Sequence, residues 1–217
     1  MVSATEASGS RAAQARDFAE AYVPEDEVIR VARRMAGEIG LTAVSPGTGA
    51  TLCLLAAAAS ARAVIEIGTG TGVSGLWLLR GMRADGVLTT IDNDPEHQRM
   101  AKRVLTEAGY PASRARVITG RALDVLPRLA DGAYDVLFLD GDRADYAACA
   151  DAAPRLLRAG GMLLINGALA GGKIADPSVR DPQVLALREL VRTFRDADEW
   201  RTALLPMGDG LLCAARA

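Results

Sequence analysis

Histidine, lysine, cysteine and the aromatic residues are all scarce in this chain, and each scarcity removes a class of chemistry. His97 is the only histidine in 217 residues, so a histidine-rich metal site is excluded by count, as is a Ser/His/Asp triad with spare candidates. His97 itself, in the polar helix start Pro95-Glu-His-Gln, is expected to be solvated. Cys53, Cys149 and Cys213 are odd in number and far apart. They offer neither a disulfide framework nor a C-x-x-C site and read as small core residues. Aromatic residues make up 4% of the chain, too few to name a stacking platform for a ligand. No apolar run reaches the ~18 residues of a membrane span, and the first residues, with Glu6 and no apolar h-region, do not read as a signal peptide. A net charge of −2 lacks the basic excess of a nucleic-acid binder. These absences leave a cytoplasmic enzyme or binding domain, with no nucleic-acid or membrane partner.

What is present begins at residues 64 to 75, Val-Ile-Glu-Ile-Gly-Thr-Gly-Thr-Gly-Val-Ser-Gly. An apolar strand with an acid near its end runs into a glycine-rich turn and then a helix. Gly68, Gly70 and Gly72 let the backbone turn sharply and approach a ligand closely, and the helix from Val73 offers its N-terminal amides to that ligand. Gly70, Gly72 and Gly75 have G-x-G-x-x-G spacing, so a dinucleotide must be weighed against S-adenosylmethionine. Glu66 tilts the choice, because at the strand's mouth it would meet a cationic amino group and repel a pyrophosphate. Ser74 has no G-x-S-x-G context, which leaves a nucleophile elbow unsupported.

Along the chain, residues 1–22 read as a flexible or partly helical arm. A helix from Pro24, acidic in its first turn and basic later, ends near Gly40, and a second spans 47–59. Both precede the sheet and are placed to roof the cofactor. Strands are then expected near 63–67, 87–92, 115–119, 134–140 and 161–166, with helices near 73–83, 95–109, 121–130, 143–158 and 181–196. That alternation builds a parallel sheet covered on both faces. Two closing strands, from Thr202 and from Leu211, are joined through Gly208-Asp-Gly210 as an antiparallel hairpin. Residues 23–217 read as one domain.

Open α/β sheets bind ligands beyond the carboxyl ends of their strands. Here those ends carry Glu66, Asp92-Asn93, Gly120-Arg-Ala122, Asp140-Gly-Asp142-Arg143 and Asn166-Gly167. Any one Asp or Asn there is most simply a helix cap; five strand ends in register are harder to dismiss.

From about residue 22 onward the chain resembles the small bacterial O-methyltransferases of the catechol and caffeoyl-CoA type. The resemblance rests on Glu66-Ile-Gly-Thr-Gly-Thr-Gly-Val-Ser, Thr90-Ile-Asp92, Gly120-Arg-Ala, Phe138-Leu-Asp-Gly-Asp, Gly160-Gly-Met-Leu-Leu-Ile-Asn followed by Gly171-Gly172, and Pro206-Met-Gly-Asp-Gly-Leu-Leu. It implies a class I methyltransferase fold, a Rossmann-like three-layer α/β sandwich whose seven-stranded, mostly parallel sheet has the order 3-2-1-4-5-7-6. It also implies S-adenosylmethionine as cofactor, a small hydroxyl acceptor and a homodimer. On the resemblance, Glu66 orients the methionine part, Gly68, Thr69, Gly70 and Gly72 form the turn against it, and Ser74 bonds its carboxylate. Asp92 and Asn93 hold the ribose end, Ala122 borders the adenine, Val44 closes over the cofactor, and Asp140 faces both cofactor and acceptor.

The chain departs from the metal-dependent branch of that family, which carries Asp after strand four and Asp-Asn after strand five. Asp140 is kept, but Asn166 and Gly167 occupy the other two positions, so a Mg²⁺ ion is doubtful here. The family's lysine three residues beyond the strand-four Asp is Arg143, which holds an anionic oxygen but cannot act as a base. Asp140 or Asp142, with Arg143, is therefore the expected catalytic set. Two alternatives stay open: a cofactor-binding protein that has lost catalysis, and an NAD-linked reductase.

Overall fold

The computed structural model describes residues 4–217, with side chains from Arg11 onward. Three helices, α1 (Ala4–Glu20), α2 (Glu27–Glu38) and α3 (Pro46–Ala58), precede β1 (Ala63–Ile67). Local chemistry starts them: Asp26 accepts a hydrogen bond from the Ile29 amide, Ser45 accepts one from Thr48, and Pro46 begins α3. The chain continues through α4 (Val73–Gly81), β2 (Val87–Asp92), α5 (Pro95–Glu107), β3 (Ala115–Thr119), α6 (Ala122–Val125) and β4 (Tyr134–Leu139). It finishes with α7 (Tyr146–Ala150), α8 (Ala153–Leu156), β5 (Leu157–Asn166), α9 (Pro182–Asp196), β6 (Trp200–Leu205) and β7 (Leu211–Arg216).

The seven strands form one sheet in the order β3-β2-β1-β4-β5-β7-β6, the order the resemblance implied. The first five are parallel, and β7 runs antiparallel to both β5 and β6. Alternate strand residues feed two cores. Ile65, Ile67, Leu137 and Leu139 pack with Tyr146, Leu156, Leu187 and Phe194 on one face, while Val64, Val136 and Phe138 pack with Ile29, Leu52, Leu76 and Leu105 on the other. This period of two, with both faces apolar, is what a helix-covered parallel sheet demands. Asp135 fixes the entry of β1 beside β4 by accepting hydrogen bonds from the Arg62 and Ala63 amides at 2.6 and 2.8 Å. Among the described residues no helix is long and apolar enough to cross a membrane.

Prolines account for the two expected helices that come out broken into short pieces. The 121–130 helix is α6 followed by a 3₁₀ turn, Leu126–Arg128, centred on Pro127. The 143–158 helix is a 3₁₀ turn (Arg143–Asp145), α7 and α8, with Pro154 in the first turn of α8. Proline lacks the amide that a continuous helix needs. Strand β5 starts at Leu157, four residues earlier than expected, with Gly160 at φ +72° near the irregularity in its pairing with β4. The arm is the helix α1 from Ala4; residues 1–3 lie outside the described residues. Glu20 ties its end down by accepting from the amides of Gly47 (2.9 Å) and Gly208 (2.5 Å).

Candidate active site

The strand order reverses between β1 and β4, which opens a crevice where their carboxyl ends diverge. Both exits meet there. Gly68, Gly70 and Gly72 have φ of +94°, +50° and +90°, in the left-handed region that only glycine enters at little cost. A Cβ on Gly68 would lie 2.4 Å from the Asp140 carbonyl oxygen, so the turn sits directly on the β4 exit. The Gly70 amide donates to Asp92 Oδ2 at 3.0 Å, joining the turn to the end of β2.

Beneath the turn runs a buried polar chain. Gln98 Nε2 donates to Thr69 Oγ1 at 3.1 Å, the Thr69 and Thr90 hydroxyls lie 2.7 Å apart, and Thr90 Oγ1 donates to Glu66 Oε2 at 2.6 Å. An amide NH₂ only donates and an ionised carboxylate only accepts, so the hydroxyl protons point in sequence from Thr69 toward Glu66. Glu66 itself has no exposed surface. Burial pushes its carboxyl up to about 7, opposed by hydrogen bonds from Ser74 and Thr90.

Val44, Gly68, Thr69, Gly70, Ser74, Asp92, Asn93, Ala122, Asp140 and Asp142 line one cavity of about 310 Å³. Three of the expected cofactor and catalytic residues do not. Glu66 shares the β1 face of Val64 and lies buried behind the turn, which it braces through Thr90 and Thr69. Gly72 is the left-handed N-cap of α4, shaping the turn rather than lining the cavity. Arg143 is held by Asp209 of the β6–β7 turn, with its guanidinium over Gly167 beside the Asp140 end of the cavity. His97 was also misjudged. It lines the cavity with its Nδ1 3.4 Å from Asp92 Oδ1, because Asp94 caps α5 and places His97 in the first turn. The Asp94-Pro95 helix start was the available signal for that placement. Leu41, Arg121 and Asp145 also line the cavity and were given no role; Leu41 lies between α2 and α3, Arg121 is the middle residue of Gly120-Arg-Ala, and Asp145 ends the 3₁₀ turn after β4.

At the far end of the cavity Asp140 is half-buried, its amide donating to the Ile67 carbonyl at 2.8 Å. Asn166 Nδ2 donates to Asp140 Oδ1 at 2.7 Å. Burial raises the Asp140 carboxyl to about 7, against the hydrogen bond from Asn166 and the charge of Arg143. A carboxyl so tuned accepts a proton near neutral pH.

The O-methyltransferase family profile matches residues 21–217. The chain belongs to the O-methyltransferase family. A protein of Mycolicibacterium vanbaalenii named for this family is 50% identical over 210 residues, covering 95% of this chain and 93% of the relative. The solved structure of a protein from Corynebacterium glutamicum superposes with a TM-score of 0.87 at 37% identity, covering 94% of this chain and 96% of that one. The O-methyltransferase TomG of Streptomyces achromogenes, involved in tomaymycin synthesis and solved in complex with SAM, superposes with a TM-score of 0.83 at 30% identity, covering 92% and 94%. Its sheet order and C-terminal hairpin make this O-methyltransferase family member a class I methyltransferase in fold.

In this O-methyltransferase family member the buried Glu66 has a measurable signature. A carboxyl whose folded-state value lies above its unfolded one contributes stability while protonated and loses it as pH rises from about 4.5 to about 7. Thermal unfolding of Glu66→Gln is therefore expected to depend less on pH across that window, and the variant to gain on the parent toward pH 8. Equal pH dependence in the two proteins would show that Glu66 ionises normally.

Proposed function

We propose that this chain is an S-adenosylmethionine-dependent O-methyltransferase acting on a hydroxyl of a small aromatic acceptor, working in the cytoplasm as a homodimer with residues 23–217 as its catalytic domain. The observation that carries the reading is the single cavity running from Asp92, past the glycine turn, to Asp140. The residues fit the cofactor. A Cβ on Gly70 would meet nothing nearer than Leu41 Cδ1 at 3.8 Å, so the turn presents bare backbone to open space, as a closely held ligand requires. When bound, S-adenosylmethionine supplies an electrophilic methyl group on a sulfonium.

The chain's own residues do the rest. Asp92 would grip the ribose hydroxyls, and Ala122 would border the adenine. The first amides of α4 would take the carboxylate of the methionine part, and Ser74 would bond it with the one hydroxyl proton it otherwise gives to Glu66. Val44, on the segment after α2, closes the roof. Asp140, with its carboxyl near 7, accepts the acceptor's hydroxyl proton; Asp142 lines the same cavity but spends Oδ1 on the Ala144 amide at 3.0 Å. Holding both partners in register supplies much of the acceleration in such a displacement.

A hard divalent cation does not fit the residues present. Asp140 Oδ1 faces the NH₂ of Asn166, a donor rather than a ligand, and Gly167 has no side chain. No step is therefore routed through a metal. Family membership speaks against the NAD-linked alternative. Isothermal titration with S-adenosylhomocysteine and NADH side by side tests the cofactor. Heat from the first and none from the second is expected, and NADH binding alone would overturn the proposal.

A further inference from the structure

The turn between β6 and β7 touches the start of α3, the loop after β5 and the β4 exit. Gly208 packs on the N-terminus of α3, where a Cβ would lie 2.9 Å from both Ser45 Oγ and Thr48 Oγ1. The carbonyls of Asp209 and Gly210 accept the amides of Leu169 and Ala168 in the loop after β5, at 2.8 and 3.0 Å. The Asp209 side chain then divides its two oxygens: Oδ1 accepts the Gly171 amide at 2.5 Å and Oδ2 accepts Arg143 Nη2 at 2.6 Å. Arg143 and Asp209 are 66 residues apart in sequence, and the pair bolts the β4 exit to the hairpin.

The guanidinium so held lies over Gly167. A Cβ there would come within 2.5 Å of Nη2 and 3.2 Å of Cζ and Nε. Arg143 therefore fills the space that any side chain at position 167 would need, beside the Asp140–Asn166 pair. Asp209 occupies one of its five N–H donors, and among the described residues the others have no protein acceptor. The side chain remains 38% exposed, reachable from outside, and its charge acts on Asp140. Among the described residues no group of three His, Cys, Asp or Glu side chains is placed to hold a metal ion.

We propose that Arg143, clamped by Asp209 over the bare backbone of Gly167, is a fixed cation that holds the ionising oxygen of the acceptor, standing where a divalent metal ion would otherwise be bound. The inference rests on the O-methyltransferase reading of the cavity. The acceptor's hydroxyl proton passes to the Asp140 carboxylate, and the negative charge left on oxygen faces the guanidinium, which binds anions through a planar fork of donors. Asp209 is a positioning residue: it acts through Arg143 and touches no reactant. Gly167 suits this arrangement, because its φ of +70° favours glycine and the guanidinium lies where a side chain would otherwise project.

The test reads anion binding directly. Chelator-treated protein saturated with S-adenosylhomocysteine is titrated with 4-nitrocatechol, a probe whose visible absorption shifts when it ionises. The parent is expected to bind the nitrocatecholate form without metal, with its affinity changed less than about twofold by added Mg²⁺ or Mn²⁺. Arg143→Met is expected to weaken binding by more than about tenfold, the scale of a lost charge-assisted hydrogen bond. Asp209→Asn is expected to weaken it roughly fivefold and Asp209→Glu to recover most of that loss, with S-adenosylhomocysteine affinity and melting temperature unchanged in all three variants, since a pair this exposed adds little stability. A purely structural tie would move the melting temperature instead. Metal-dependent nitrocatecholate binding by the parent, no such binding at all, or parental affinity in Asp209→Asn would each overturn the inference. Failure of S-adenosylhomocysteine to bind would instead overturn the reading of the cavity.

Discussion

Asp140→Asn is expected to lower kcat for methyl transfer by about 10²–10⁴-fold, the usual contribution of a positioned proton acceptor. The substitution is nearly isosteric, and the new amide oxygen still accepts the hydrogen bond from Asn166, so the fold and the turn should be undisturbed. The pH profile separates loss of a base from loss of shape. With its carboxyl near 7, Asp140 is the active base only when ionised, so parental activity should fall as pH drops through about 7, and the residual activity of the variant should lack that limb. Stability should move the other way. Because the folded-state value is raised, ionising Asp140 costs stability above about pH 4 and increasingly up to about 7. The variant should therefore melt higher than the parent at pH 8, the exchange of stability for function common at active sites. A variant with parental kcat would remove Asp140 from the chemistry.

Gly68→Ala is expected to cost about 3–4 kcal/mol in denaturant unfolding and to weaken S-adenosylhomocysteine binding by more than about 100-fold. Two faults coincide. The residue sits at φ +94°, and the added Cβ would meet the Asp140 carbonyl oxygen at 2.4 Å, its carbon at 2.5 Å and the Gly141 amide at 2.7 Å. All three are backbone atoms and cannot rotate aside, so either the turn or the β4 exit must move. Gly70→Ala is the matched control. Its φ of +50° costs about 1 kcal/mol, but its Cβ points into open space, so ligand affinity should suffer far more than stability. If Gly68→Ala proved as stable as the parent, the contact between the two strand exits would not be what shapes the crevice.

How much of this was legible in the sequence differs from element to element. The sheet was, because strands buried on both faces read as short apolar runs, and the glycine turn announces itself through residues that few other structures need. The helix ends at Pro127 and Pro154 were written in the chain but yielded to the helical pattern around them. Glu66 was read as facing a ligand because it stands near a strand end. Its place on the face of Val64, and its hydrogen bond from Thr90 of the neighbouring β2, show only once the sheet is assembled. Asp92 and Asp140 were readable as strand-end acids, whereas the raised Asp140 carboxyl depends on burial that no local pattern records. Asp209 was quoted as part of a motif without a role, since its partner Arg143 comes close only when the sheet brings the β4 exit beside the hairpin turn.

The most direct test of the account is an acceptor screen with methyl-labelled S-adenosylmethionine, run over catechols and simple phenols with and without chelator, with products identified by mass spectrometry. The account predicts a methyl ether from at least one acceptor, formed together with an equal amount of S-adenosylhomocysteine and at a rate the chelator does not lower. Cofactor binding with no methylated product across the panel would contradict it, and so would turnover that disappears when divalent metal is removed.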